Sequence, residues 1–305
     1  VTPWKYIPGF TAKAGANYNL DEYMNVFMNI GFLSKAQRFN NVYDRSNTLF
    51  RDIKNEQVRA IELGYSFAKP LFTLNVNTYY TSWLNKPADR ALTTEIDGEF
   101  YSVNINDMNA RHMGIEFEFA IKILDNLMFE SLLSLGDWIW TSADTARVYN
   151  DNGQQIATRP FDAKGLYVGD AAQFQNRESL RWEIIPRLYV TGAFTWFGKH
   201  YAEFNPLDYD PDRYPGSFDE NGDPRQSWKI PNYYTIDFHA GYSWKISKVG
   251  FQLRGSVLNA TDNIFITDAQ NNDPYLTHSS SFDANSAGVF MGMGRRFNVS
   301  LRLSL

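Results

Sequence analysis

Residues 288–305, GVFMGMGRRFNVSLRLSL, decide the fold class. Val289, Met291, Met293, Phe297, Val299, Leu301, Leu303 and Leu305 share one parity, interrupted only by Arg295. Asn298, Ser300, Arg302 and Ser304 share the other. Alternation at period two marks a strand lying between an apolar and a polar environment. The pattern predicts one strand over 288–305.

The same period recurs upstream. Phe10, Ala12, Ala14, Ala16, Tyr18 and Leu20 alternate, as do Met24, Val26, Met28, Ile30 and Phe32. Residues 57–68, 71–83 and 111–123 repeat it, the last with Glu116, Glu118 and Lys122 opposite Ile115, Phe117 and Phe119. Further strands are predicted at 127–141, 172–185, 188–200, 232–246 and 250–258. The total is about 11 strands, many longer than the roughly 5–6 residues usual in soluble sheets. One segment is irregular: Asn176 and Glu178 share a parity with Phe174, Leu180 and Trp182. Its upper half is expected to project above a bilayer.

The connections alternate in length. Short turns sit at Asp21-Glu22, Lys69-Pro70, Asp125-Asn126, Ile185-Pro186-Arg187 and Ser247-Lys248. Long polar segments lie at about 35–56, 84–110, 142–171, 201–231 and 259–287. Tight turns at one end and long loops at the other are the asymmetry of an outer-membrane barrel, with the turns periplasmic and the loops extracellular. Trp83, Trp138, Trp140, Trp196 and Phe197 are expected in an outer aromatic girdle. Phe67, Phe72, Phe129, Trp182, Tyr189, Trp244 and Phe251 are expected in an inner one. Ordinary aromatic β-propensity offers a second account of these rings.

Composition agrees. The 305 residues are 44% hydrophobic and 16% aromatic, which excludes disorder. Mean hydropathy is only −0.41, yet a barrel strand needs no continuous apolar run. A net charge of −5 argues against nucleic-acid binding. The absence of cysteine excludes disulfide scaffolds, thiolate metal sites and thiol catalysis. The start, Val1-Thr2-Pro3-Trp4, has no initiating Met and no signal peptide. An open sheet edge in lipid leaves its amides unpaired at several kcal/mol each. About 11 strands that begin and end downward are therefore expected to be the C-terminal half of a 22-strand barrel, with earlier strands upstream.

Several stretches resemble one family. IKNEQVRAIELGYSF at 53–67, FLSKAQRFNNVYD at 32–44, RHMGIEFEF at 111–119 and VGDAAQ at 168–173 are similar to TonB-dependent outer-membrane receptors of the Bacteroidetes type, the SusC-like superfamily. So are TWFGKHYAEFNP at 195–206, WKIPNYYTIDFHAGYSWKI at 228–246 and VLNATDNIFITDAQ at 257–270. The last twelve residues resemble the signal read by the barrel-assembly machinery, although the chain ends on Leu305 and not on an aromatic. The resemblance implies active import of a scarce nutrient of the siderophore, glycan, peptide or cobalamin class. It also implies an upstream plug, energy from TonB-ExbB-ExbD, contact with membrane lipid and lipopolysaccharide, and in some relatives a surface lipoprotein lid. Two rival readings are a small outer-membrane barrel enzyme, a protease or phospholipase, and a barrel subunit of a larger outer-membrane assembly.

Candidate ligand contacts lie in the predicted outer loops. Tyr101, Tyr209, Tyr214 and Trp228 are the leading aromatics for stacking on a ligand, with Phe100, Tyr149, Phe161 and Tyr275 beside them. Packing of loop against loop explains them equally. In loop 201–231, Asp208, Asp210 and Asp212 alternate, followed by Asp219, Asn221 and Asp223. Oxygen ligands so spaced can hold Ca2+, yet the EF-hand glycine and distant Glu are missing, and a solvated acidic loop is the competing account. The histidines, His112, His200, His239 and His278, show no pair at ligand spacing. Glu116 and Glu118 fit a polar strand face without any acid–base role, and no further cofactor is implied.

Overall fold

The computed structural model describes residues 2, 4–43, 47–50, 53–88, 92–169, 171–272 and 281–305. Eleven long strands carry the fold: β1 (Phe10–Asn19), β2 (Met24–Lys35), β3 (Glu56–Lys69), β4 (Phe72–Lys86), β5 (Met108–Leu124) and β6 (Leu127–Trp140). They continue as β7 (Phe174–Ile185), β8 (Leu188–Gly198), β9 (Tyr233–Ile246), β10 (Val249–Leu258) and β11 (Arg296–Ser304). All pair antiparallel in chain order in one 11-stranded sheet. Among the described residues β1 pairs only with β2, and β11 only with β10.

Register carries the two-residue period across the whole sheet. One row runs Met28, Leu63, Thr78, Ile115, Leu135 and Phe174. Another runs Trp182, Val190 and Ala240. The apolar parity of each strand thus meets the apolar parity of the next, and a slip of one residue anywhere would reverse a whole strand. The resulting apolar face is exposed: Phe297 is 73% accessible and Val299 75%. Ile30, Leu63, Ile123, Leu180, Trp182, Phe238 and Ile246 are also exposed on it. No soluble fold leaves such an area in water, so this face requires a non-aqueous surrounding. Among the described residues no helix is long and apolar enough to cross a membrane, so any crossing is by strands.

The opposite face is polar and internally bonded. Asn29 Nδ2 donates to Glu62 at 3.3 Å, and Asn77 Nδ2 to Glu116 at 3.5 Å. His239 Nδ1 lies 2.9 Å from Ser256 Oγ, and Asp237 accepts from the Asn259 amide at 2.8 Å. Glu178 and Asn176, the irregularity on the apolar face, bond to one another, while Glu178 Oε2 is buried with no partner among the described residues. Asn176 Nδ2 donates to Glu178 Oε1 at 2.8 Å, and Ser131 Oγ donates to the same oxygen at 2.9 Å.

Three expectations change. First, 288–305 is not one strand. Residues Gly288–Met291 pair with Ile266–Gln270 in a separate ribbon, and β11 starts only at Arg296. Gly292 lies against the Phe265 ring, where a Cβ would stand 2.1 Å from Cε2, and its amide donates to the Phe265 carbonyl. Asn259, 3% exposed, ties this junction: its Nδ2 donates to the Asn263 and Met293 carbonyls while its Oδ1 accepts from the Asn263 amide. Second, the long loops are folded and not merely polar. Leu92–Ile96, Glu99–Asn104, Ala143–Tyr149 and Gln155–Asp162 form a four-stranded sheet above the barrel strands. A short helix, Phe39–Val42, and two 3-10 turns, Pro206–Tyr209 and Pro215–Ser217, join them. The largest buried apolar cluster, with Ile105, Met108, Val148, Phe161, Leu166 and Tyr209, lies among these loops and the loop ends of β5 and β6.

Third, the aromatic girdles are thinner than expected. Trp83, Trp138, Trp140, Tyr189 and Phe197 carry the polar parity of their strands. Trp83 Nε1 donates to Glu56, and Trp138 Nε1 to the Tyr79 hydroxyl at 2.9 Å. The apolar face keeps Trp196 at its loop end. At its turn end Phe67, Phe72, Phe119 and Phe129 form a run of adjacent rings 5.8–6.4 Å apart. Trp244 stacks on Phe251 at 5.3 Å.

Val299 stands five residues above the turn end of β11, roughly 12 Å at the strand tilt of such sheets. In the assembled barrel Val299→Arg is expected to destabilise by about 2–4 kcal/mol, and Ser300→Arg on the polar face by less than about 1. Equilibrium urea unfolding in bilayers measures the difference; equal effects would contradict the assignment of faces.

Candidate ligand cavity beneath the loops

At the loop end of the polar face, β4, β5 and β6 converge with the loop cores on a cavity of about 480 Å³. Strand parity supplies its wall: Trp83, His112, Trp138 and Trp140 all point inward from three neighbouring strands. The His112 ring sits 5.8 Å from Trp83, edge on, and 5.4 Å from Trp138. Lys86 Nζ stands 5.7 Å from the Trp83 centroid and 5.3 Å from Trp140, a cation over two π faces. Arg38 and Glu203 add charge of both signs, and Phe204 closes the far side against Trp140 at 6.2 Å. Trp140 is 7% exposed, and its indole N–H finds no acceptor among the described residues. A buried donor of this kind costs about 1–3 kcal/mol unless something accepts from it. The cavity is therefore lined by flat aromatic surface, by charge of both signs from Lys86, Arg38 and Glu203, and by a donor with no acceptor among the described residues.

The residues singled out from sequence lie elsewhere. Tyr209 is fully buried; its hydroxyl donates to the Arg225 carbonyl at 2.9 Å, and burial raises its pKa. Phe161 is buried in the same loop core, and Tyr149 is buried against the Phe50 ring at 4.8 Å. Tyr101 is half-buried on the loop strand Glu99–Asn104, packed against that core. Trp228 is half-buried against Ala202, Ile230 and Ala269. Tyr214 is 39% exposed with the Arg213 guanidinium over its ring. Phe100 is exposed, while Tyr275 and His278 lie outside the described residues. None of Tyr101, Tyr209, Tyr214 and Trp228 lines the aromatic cavity.

Among the described residues no three His, Asp or Glu side chains form a metal-holding group. Asp210 Oδ1 accepts from the Asp212 and Arg213 amides, the local turn that explains the Asp210/Asp212 spacing. Asp208, Asp210 and Tyr214 border a recess of about 180 Å³, but Arg159 and Arg213 border it too, which disfavours a divalent cation. Asp219 makes a similar turn, accepting from Asp223 N at 3.0 Å and Asn221 N at 2.9 Å; these bonds hold its carboxyl below the usual range.

The sequence reading did not single out Lys86 or Phe204, weighed His112 only as a metal ligand, and expected Trp83, Trp138 and Trp140 in the outer girdle. A signal existed: Trp83 has odd parity while Leu74, Val76 and Tyr80 are even, and Trp138 and Trp140 are even while Leu133 and Leu135 are odd.

The family model described as TonB dependent receptor-like, beta-barrel, matches residues 5–260. No curated protein gives a significant match. Among solved structures, the siderophore receptor PiuA from Acinetobacter baumannii is 14% identical with a TM-score of 0.61, covering 96% of this chain and 35% of its own. The ferric yersiniabactin uptake receptor FyuA from Yersinia pestis is 18% identical at 0.60, covering 95% and 36%. The FrpB iron transporter from Neisseria meningitidis is 14% identical at 0.57, covering 95% and 38%. The chain thus spans little more than a third of the length of these structures, and the likeness is one of fold.

A pH experiment checks the acidic loop. Because the native Asp219 pKa is depressed, its turn is fully stabilised above the ordinary aspartate value of about 3.9 and loses that support as pH falls through the native value. Hydrogen exchange, corrected for intrinsic rate, is expected to show the Asn221 and Asp223 amides losing protection in that window. Asp219→Asn is expected to show no such pH step.

Proposed function

The chain belongs to the TonB-dependent receptor β-barrel family of outer-membrane proteins, and on that premise we propose that it forms one wall of an importer for a scarce, anionic, flat-faced nutrient of the ferric-chelate class. The observation that carries this reading is the aromatic cavity on the polar face directly beneath the long loops. Lys86 and Arg38 favour negative charge, Trp83 and Trp140 favour a planar group, and the Trp140 N–H favours an acceptor oxygen. The neighbours described as siderophore or iron receptors support the same class.

Two open sheet edges support the view that further strands complete the ring and that a plug fills its lumen. In this reading the long loops face the outside, the short turns face the periplasm, and TonB-ExbB-ExbD supplies the energy through the plug. Stretches 53–67 and 228–246 support the Bacteroidetes, SusC-like subtype. A surface lipoprotein lid over the loops belongs to that proposal. A sheet that does not close on itself gives no support to a small self-contained barrel enzyme.

Growth of a deletion strain on panels of iron chelates, glycans and cobalamin tests the substrate class, with loss expected on iron chelates alone. In the complete receptor, Lys86→Gln and Trp140→Phe are each expected to weaken ligand binding about tenfold, the scale of one charge-assisted or buried hydrogen bond. Unchanged affinity in both folded variants would remove the cavity from the binding site.

A further inference from the structure

Below the cavity the polar face divides by charge. The carboxylates of Glu62, Glu116, Glu118 and Glu130 stand on β3, β5 and β6. The guanidinium groups of Arg177, Arg181, Arg254 and Arg302 stand on β7, β10 and β11. Register puts both sets on the inner side. Glu116 pairs across from Asn77 and Ser134, Arg177 from Thr195, Arg254 from Gly241 and Ser300, and Arg302 from Gln252. None of these carboxylates and guanidinium groups forms an ion pair among the described residues. Charges kept only to stabilise the sheet would be interspersed, because opposite signs on neighbouring strands attract. Asp237 and Glu183, on the basic side, serve the backbone: Asp237 accepts from the Asn259 amide at 2.8 Å, and Glu183 from the Arg187 amide at 2.7 Å. Lys122, on the acidic side, stands only two residues from the turn end of β5.

The cations form a descending series. Arg177 stands eight residues above the turn end of β7 and Arg181 four; Arg254 stands five above that of β10 and Arg302 two above that of β11. At 3.3 Å per residue and a tilt near 40°, they step down from roughly 20 Å to roughly 5 Å above the turns. The top step adjoins the cavity. Arg177 borders a recess of about 510 Å³ with Glu116, Glu118 and Ser134, and Ser134 lies four residues below Trp138 on β6. The middle step is a stack. The Arg181 guanidinium lies 3.7 Å from the Tyr189 ring centre, and that ring covers Gly241, where a Cβ would stand 2.5 Å from Cε1. Arg254 pairs across from Gly241, so in register the ring lies between the two arginines.

A wall of one sign focuses its field on an ion beside it, and ionisable groups facing a wet interior mark a path. We propose that the nutrient leaves the cavity sideways at Arg177 and descends along β7–β11, from Arg181 and Arg254 to Arg302, while the carboxylates of β3–β6 repel it. The class this route carries is a multiply charged anion; a cation would follow the opposite wall, and a neutral chelate would be steered by neither. The inference rests on the anionic reading of the nutrient and adds its route.

Two readouts on the complete receptor separate the route from the entry site. The probe is a triply negative iron(III) tris-catecholate complex. Quenching of tryptophan fluorescence measures its binding, and uptake of radioactive iron by cells, normalised to folded receptor, measures its passage. Arg254→Gln with Arg302→Gln is expected to leave affinity unchanged and to lower uptake about tenfold. Arg254→Lys with Arg302→Lys is expected to restore most of the uptake, since the route needs the charge and not the planar fork. Trypsin protection is expected to be equal in wild type and both variants, which a merely structural role for the arginines would not allow. Absence of binding by the wild type removes the anionic reading and the route together. Intact binding with uptake unchanged in the Gln pair, or an uptake loss matched by lost protection, overturns the route alone.

Discussion

Backbone amides cannot remain unpaired in hydrocarbon, and everything else in this molecule follows from that constraint. Helices satisfy it within one segment; strands satisfy it only across a sheet. The chain uses strands, so each of the eleven must keep register with its neighbours over most of its length. Register then fixes faces. Because side chains alternate, a single choice of parity at β1 propagates to β11 and sorts most Ile, Leu and Phe to one side and most Asn and Glu to the other, with Asn176 and Glu178 the exceptions on the apolar side.

The same constraint explains where the packed core is. Among the described residues no second layer packs on the apolar face of the long strands, so their apolar side chains face lipid and need no jigsaw packing. Above the membrane, water returns, and the loops must bury their own apolar groups. They do so through a second small sheet and a cluster around Ile105, Val148, Phe161 and Tyr209. Cross-loop ties hold the cluster over the barrel mouth. Lys54 and Arg147 both reach Asp107, Arg213 reaches Thr94 Oγ1, and Gln226 Nε2 reaches the Gly165 carbonyl. A rigid loop cap set over inward-facing tryptophans turns a plain wall into a cavity with chemistry.

Legibility from sequence divided along this line. The long strands could be read, because lipid on one side and water on the other impose a period of two, broken at Asn176 and Glu178. The loops could not, because a mixed environment imposes no period; Leu92–Ile96 and Gln155–Asp162 are short and flanked by polar residues. The same loss of period misled at the last hairpin, where Val289 and Met291 continue the parity of β11 but pair with Ile266–Gln270 around the Asn259 knot. At the loop end, parity decides which aromatics line the cavity. Exposed-looking loop tyrosines such as Tyr209 turned out to fill the cap, while the cavity wall came from tryptophans at strand ends whose odd or even number already assigned them to the wet side.

The central claim is that one face of this sheet touches acyl chains and the other an aqueous interior. The sequence contains no cysteine, so single cysteines can be introduced one at a time without background. Replacing residues 297–303 singly in the complete receptor, labelling each with an environment-sensitive fluorophore and quenching with brominated acyl chains gives the most direct measurement. The account predicts strong quenching at 297, 299, 301 and 303 and little at 298, 300 and 302. Quenching that ignores parity, or that falls on the even positions, would contradict it.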